Sequence, residues 1–204
     1  MHTMKQFFCG ACAILLLAAC SGNQKTVVIM SKGAAEVDLN AGTIKATDGA
    51  GHDEKTVKIN NKKVNFALTT PAGNTAVELV ENGLYVINVK NDTIIGSYQQ
   101  YSSADKAQAV ISQESLKQKI DSLILLSEGK NVSAANRNFF ILPNQATKIT
   151  DNANAQVVGP YHQMRSAEKV DGVEPEIYRF YSIKEIREMI ARLQALTVAP
   201  APKP

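Results

Sequence analysis

The sequence predicts an α+β protein: an N-terminal antiparallel β-sandwich-like part, then a helix and a small mixed α/β part ending in an amphipathic helix. Three observations carry that expectation. Short apolar or alternating runs recur through residues 26–101, parted by Asn, Asp and Gly, the pattern of strands joined by tight turns. Helical spacing then takes over across residues 104–128, with Gly129 placed as a stop. Last, "EIYRFY" reads as a strand that runs straight into a helical stripe beginning at Ser182.

Each element has its own signal. "TVVIM" is continuously apolar, as a strand buried on both faces must be. "VDL" and "TIKA" are parted by Asn40-Ala41-Gly42. "KTVKIN" and "KVNFAL" each alternate, with Val57 and Ile59 on one face and Val64, Phe66 and Leu68 on one face of the partner. The Asn60-Asn61-Lys62 turn between them predicts a hairpin, because asparagine tolerates left-handed backbone. Glu81-Asn82-Gly83 predicts a second hairpin between "AVELV" and "LYVINV", and Asn91-Asp92 a turn before "TIIGSY". In the 104–128 helix, Val110, Leu116, Ile120, Leu123 and Ile124 share one face. "NFFIL" and "ATKIT" are set to pair across Pro143-Asn144, and "AQVVG" supplies a third strand. Ser182 and Glu185 match a capping box, and Tyr181 and Ile186 the apolar staple beside it. Ile183, Ile186, Met189, Ile190, Leu193 and Leu196 then form the buried stripe. The tail after it, "VAPAPKP", is proline-rich and expected to be extended and disordered.

The chain opens with one cation, Lys5, then an apolar run from Phe7 to Ala19 broken only by Gly10. A basic start, a short apolar core and small residues at its end are features of a secretory leader. The run is too short to span a bilayer, which takes about 20 apolar residues. Leu17-Ala18-Ala19-Cys20 resembles the lipobox of bacterial lipoproteins. The resemblance covers about the first two dozen residues and says nothing of the mature domain. It implies that the Cys20 thiol receives diacylglycerol, that cleavage precedes Cys20, and that the new amino group is acylated. Two or more acyl chains anchor stably where one is marginal. An ordinary cleavage after Ala19 is the competing reading. In the sorting scheme that the resemblance implies, aspartate after the cysteine retains a lipoprotein at the inner membrane, so Ser21 points to the outer membrane, and the lack of an acidic run after Cys20 to its periplasmic face.

The expected organisation is therefore a leader over 1–19, the lipidated cysteine and tether over 20–25, a β-rich part over 26–101, a helix with a small α+β region over 102–197, and the tail over 198–204. A flexible five-residue tether reaches only about 12 Å on average, so the folded part is expected close to the lipid. Lys and Arg number 22 against 19 Asp and Glu, a balance that speaks against a nucleic-acid partner. The chain has three cysteines. Cys9 and Cys12 fall in the leader and Cys20 takes the lipid, which leaves none for a disulfide, a zinc cluster or a nucleophile. No cofactor is expected.

Candidate sites read mostly as structure. Gly49-Ala50-Gly51 lacks the third glycine and following helix of a dinucleotide fingerprint and reads as a loop. His52-Asp53-Glu54 offers three metal-ligand types, but adjacent residues rarely share a coordination sphere, so it reads as a solvated turn. Lys55, Lys58, Lys62 and Lys63 read as edge protection, with contact to anionic headgroups as the functional alternative. Phe139, Phe140, Tyr178, Phe180 and Tyr181 read as core, with a partner-binding patch as the alternative. His162 beside Tyr161 has no accompanying nucleophile motif. Asn131-Val132-Ser133 is a sequon of little weight in a bacterial lipoprotein. Asp92-Thr93-Ile94 resembles a triplet that some Gram-negative bacteria O-glycosylate, though chance explains it better. The expected function is a non-enzymatic binding or assembly module. It would meet membrane lipid through the acyl anchor, and an envelope protein or anionic headgroups as further partners. The competing class is an envelope hydrolase whose site, drawing on His162, Asp171 or Glu174 and a serine, assembles only in three dimensions.

Overall fold

The computed structural model describes residues 22–99, 112–159 and 173–198. The leader, Cys20, residues 104–111 of the expected 104–128 helix, His162, Asp171 and the last six residues lie outside them. Twelve strands and two helices are described, and the strands form three four-stranded sheets.

The central sheet has the order β10-β7-β1-β4, built from β1 (Lys25–Ser31), β4 (Asp53–Ile59), β7 (Gly83–Asn88) and β10 (Gln145–Thr150). The second is β2-β3-β5-β6, from β2 (Ala35–Asp38), β3 (Thr43–Ala46), β5 (Val64–Thr70) and β6 (Gly73–Leu79). The third is β11-β12-β8-β9, from β8 (Ile94–Gln99), β9 (Asn138–Ile141), β11 (Gln156–Val158) and β12 (Ile177–Ser182). Helices α1 (Gln113–Ser127) and α2 (Ile183–Val198) complete the fold.

Side-chain alternation stacks these elements in layers. Every residue of β1 is buried. Val27 and Ile29 join Tyr85 and Ile87 of β7 in a core shared with Ile44, Phe66, Leu68 and Leu79 of the second sheet. Val28 and Met30, with Leu84 and Val86, point the other way, against Ile94, Phe139, Ile141, Tyr178 and Phe180 of the third sheet. The third sheet is itself covered on its far side. Ile95, Phe140 and Tyr181 pack with Ile120 and Leu126 of α1 and Ile186 and Ile190 of α2. A strand covered on both faces can carry no polar face, which is why "TVVIM", "LYVI" and "NFFI" read as continuous apolar runs. The aromatic residues of 139–140 and 178–181 accordingly serve these two cores.

Three expected hairpins do not form. β4 pairs with β1, while β5 pairs with β3 and β6. β6 and β7 likewise lie in different sheets, as do β9 and β10. In each case the chain reverses by crossing from one layer to the next. Val57 and Ile59 do share a core with Val64, Phe66 and Leu68, but face to face across the layers instead of side by side. Gly83, read as part of a hairpin turn, has φ 128°, and a Cβ there would lie 2.1 Å from the Thr150 carbonyl oxygen. It permits close approach of β10. Crossing also makes the sheets mixed, not antiparallel: β1–β7, β3–β5 and β11–β12 are parallel pairs. The true hairpins are β2–β3 across Asn40-Ala41-Gly42 and β5–β6 across Pro71-Ala72. Because β7 pairs with β10 and β8 with β12, sheets are shared between the stretches before and after residue 102.

The helix ends follow local chemistry. Gly129 (φ 71°) closes α1, its N–H donating to Leu126 and that of Lys130 to Leu125, a Schellman pattern. At α2 the Ser182 N–H donates to Glu185 Oε2 at 2.7 Å and the Glu185 N–H to Ser182 Oγ at 3.2 Å, the reciprocal capping box. Ile186 and Ile190 are buried and Ile183 and Leu193 packed, but Leu196 is 63% exposed. The stripe outlasts the sheet it covers.

Gly96 of β8 lies opposite Phe180, and a Cβ there would sit 2.1 Å from the Phe180 ring. That ring is buried and cannot swing aside. Gly96→Ala is expected to cost about 2–3 kcal/mol through overpacking, measured as a drop in the urea midpoint. An unchanged midpoint would contradict this packing.

Candidate functional site

At one end of the central sheet, β1 leaves through Lys32, β4 enters through His52 and β7 ends toward Lys90. The N-terminal turn of α2 closes over the same place. Together they frame a cleft of about 280 Å³ lined by Lys32, His52, Lys90, Asp92, Ser182 and Glu185, among others.

Two of the lining residues, Lys90 and His52, form a line with Glu54. Lys90 is 8% exposed, and its Nζ lies 2.5 Å from His52 Nδ1. His52 Nε2 lies 2.5 Å from Glu54 Oε1. With the ammonium donating, Nδ1 accepts, so the neutral ring carries its proton on Nε2 and donates it to Glu54. Burial pushes the Lys90 ammonium below its ordinary pKa, against the pull of Glu185, Glu54 and Asp92 and with a small push from Lys32. Gly159, just after β11, permits the pairing. A Cβ there would lie 2.2 Å from Glu54 Oε1 and 3.0 Å from His52 Nε2.

Asn88, fully buried, sets the Lys90 backbone. Its amide nitrogen donates to the carbonyls of Asp92 and Ile141, at 2.8 and 3.0 Å, and its side-chain oxygen accepts from the Lys90 N–H at 3.1 Å. A buried side-chain amide with these bonds made joins the central sheet to the third sheet and fixes the 88–92 turn.

His52-Asp53-Glu54 is therefore not the solvated turn expected from its composition. Asp53 opens β4, and alternation turns His52 and Glu54 to one side, with side chains only 11% and 17% exposed. Lys90 escaped the sequence reading. Its signal was there: Asn88 and Lys90 continue the alternation of Leu84 and Val86, polar residues on an apolar face. Lys55 and Lys58 are exposed on β4, an edge strand, as edge protection requires. Thr93 of the Asp-Thr-Ile triplet is half-buried and its carbonyl accepts from the Ile183 N–H. Glu174 is exposed, while His162 and Asp171 lie outside the described residues. Among the described residues no group of three His, Cys, Asp or Glu is placed to hold a metal ion, and no helix is long and apolar enough to cross a membrane.

A second polar cluster centres on Glu176, whose carboxylate accepts from Arg137 at 2.5 Å, Tyr178 Oη at 2.6 Å, and Thr150 and Asn152 at 3.2 Å each. Arg137 also lies over the Tyr98 ring at 4.0 Å. The cluster joins the central and third sheets at the far end from the cleft and has the character of a structural clasp. No family model matches the chain, and neither does any curated protein or solved structure.

Burial pushes the Glu176 carboxyl up, but the bonds from Tyr178, Asn152 and Thr150 and the charge of Arg137 outweigh it, so its pKa lies below the ordinary 4.5. Tyr178, buried and bonded to that carboxylate, is pushed up to about 12. A carboxyl with a depressed folded pKa adds stability above its unfolded value and loses it as pH falls through the folded one. Glu176→Gln is expected to be less stable than wild type at pH 7, with the gap narrowing as pH falls below about 4.5. Urea midpoints across pH check this; a gap that stays constant would remove the ionic role.

Proposed function

We propose that the chain is a bacterial envelope lipoprotein, anchored by Cys20 to the outer membrane on its periplasmic face, and that it acts as a non-enzymatic binding or assembly module. The single observation that carries the reading is the position of β1. It begins at Lys25, five residues after the lipobox cysteine, and ends beside the cleft. Seven strand residues span about 20 Å, so the tether enters at one end of the central sheet and the Lys32–His52–Lys90 cleft opens at the other. A ligand site turned away from the lipid suits a module that presents its site to the periplasm.

The anchor end has features that fit a headgroup surface. Lys58 lies beside Thr26 in the β1–β4 register, and Lys62 and Lys63 follow in the next connection, all three exposed. Lys63 is paired with Glu78 at 2.8 Å, which leaves Lys58 and Lys62 to meet anionic groups. Lys25 itself is buried, and its Nζ donates to the Asn61 and Lys62 carbonyls at 2.8 and 3.0 Å. It ties that connection to the start of the chain's first strand. Face-to-face packing of the central and second sheets supports a β-sandwich-like reading of the N-terminal part.

Expression of the wild type and Cys20→Ser with labelled palmitate, followed by membrane fractionation, tests the anchor. Wild type is expected to take label and to fractionate with the outer membrane, and the variant to lose both. A serine variant that is still labelled and still pellets with the outer membrane would overturn the reading.

A further inference from the structure

The Lys90–His52–Glu54 line has the parts of an activated nucleophile: an amine, a base within hydrogen-bond reach, and a third group that orients the base. Structural lysines are common at strand ends, but they normally reach solvent or a carboxylate. Lys90 instead directs its nitrogen at an imidazole, 2.5 Å away, in a cleft with room for a small molecule. The imidazole in turn is held by a carboxylate at 2.5 Å. Desolvation of the ammonium acts in the same direction, favouring the uncharged amine.

We propose that Lys90 is a reactive amine that captures a small polar aldehyde or ketone as an imine, with His52 carrying the proton and Glu54 positioning the ring. The inference rests on reading the cleft as the ligand site and is independent of the lipid anchor. Lys90 passes a proton to His52 Nδ1, and Glu54 offsets the imidazolium charge at Nε2. The freed lone pair of Nζ adds to the carbonyl carbon as its oxygen takes the proton back from His52. The resulting carbinolamine loses its hydroxyl as water, taking the second proton that Nζ releases. One proton stays on the nitrogen, giving a protonated imine near Glu54, Asp92 and Glu185. The ammonium and the carbonyl compound thus become an iminium ion and one water, with no oxidant or reductant. Lys32, Lys184 and Ser182 at the cleft wall suit hydroxyl or carboxylate groups on the carbonyl compound. Capture of this kind is covalent binding and needs no turnover.

The test uses the full chain in detergent, glyoxylate as the probe, and cyanoborohydride to trap the imine. Peptide mass spectrometry then reads the rate at each lysine. At pH 7, Lys90 is expected to label at least tenfold faster than Lys45 and Lys55, both exposed on strands. His52→Gln and Glu54→Gln are expected to lower the Lys90 rate severalfold and leave Lys45 unchanged. Lys90→Arg is expected to abolish the fast site. Lys90 labelling no faster than Lys45, or only in denaturant, would overturn the proposal and mark a buried structural lysine. Fast labelling unaffected by His52→Gln would overturn the relay. Should a Gln variant fail to fold, the wild-type comparison of Lys90 with Lys45 still decides. Neither overturning result bears on palmitate at Cys20, and loss of the anchor would leave the Lys90 rate untouched.

Discussion

The parallel pairing of β1 with β7 is the constraint on which the rest of the fold depends. Both strands are apolar on both faces, and a strand of that kind is stable only with a layer on each side. Two outer sheets satisfy that need, through cores that draw alternate residues from the same strands. The third sheet then exposes a second apolar face of its own, and α1 and α2 cover it. Each layer is thus a consequence of the one inside it. Fully burying one large apolar side chain contributes roughly 1.5–3 kcal/mol, and β1 and β7 place eight or so such residues at the centre.

Layering leaves the polar groups at the ends of the sheets, where the connections cross. Asn88 bonds toward the third sheet. Asn144, in the β9–β10 crossing, donates from its backbone to the Asn88 carbonyl at 2.8 Å and accepts from Thr70 Oγ1 at 2.6 Å. These two asparagines therefore link all three sheets at the cleft end. At the other end Lys25 and Glu176 do comparable work with carbonyls and donors. Such crossings brace the cleft where His52 lies 2.5 Å from Lys90 on one side and 2.5 Å from Glu54 on the other, an alignment that needs a supported surround.

Much of this was legible in the sequence, and the failures have one physical origin. The double burial of "TVVIM", the strand positions, the capping box at Ser182 and the stop at Gly129 all depend on neighbours in the chain, and local pattern is sufficient for them. Pairing partners depend on which layer a strand joins. Alternation in "KTVKIN" and "KVNFAL" says that both strands have one apolar face; it is silent on whether those faces lie side by side or opposed. Asn-rich and Asn-Gly turns mark a reversal of direction, and a crossing between layers reverses direction as a hairpin does. The Lys90–His52–Glu54 line was missed for the same reason. Its members lie at or just beyond the ends of β4 and β7, 36 residues or more apart in sequence, and a His-Asp-Glu run after glycines has the composition of a turn although β4 begins within it.

Native-state hydrogen exchange measures the central constraint most directly. If the β1–β7 pair is the foundation, amides of Val27 to Met30 and of Val86 and Ile87 exchange only through global unfolding. The outer strands β2 and β6 and the helices then open at lower free energy. Slower exchange in the second sheet or in the helices than in β1, or loss of β1 protection while the second and third sheets remain protected, would contradict a fold built outward from that pair.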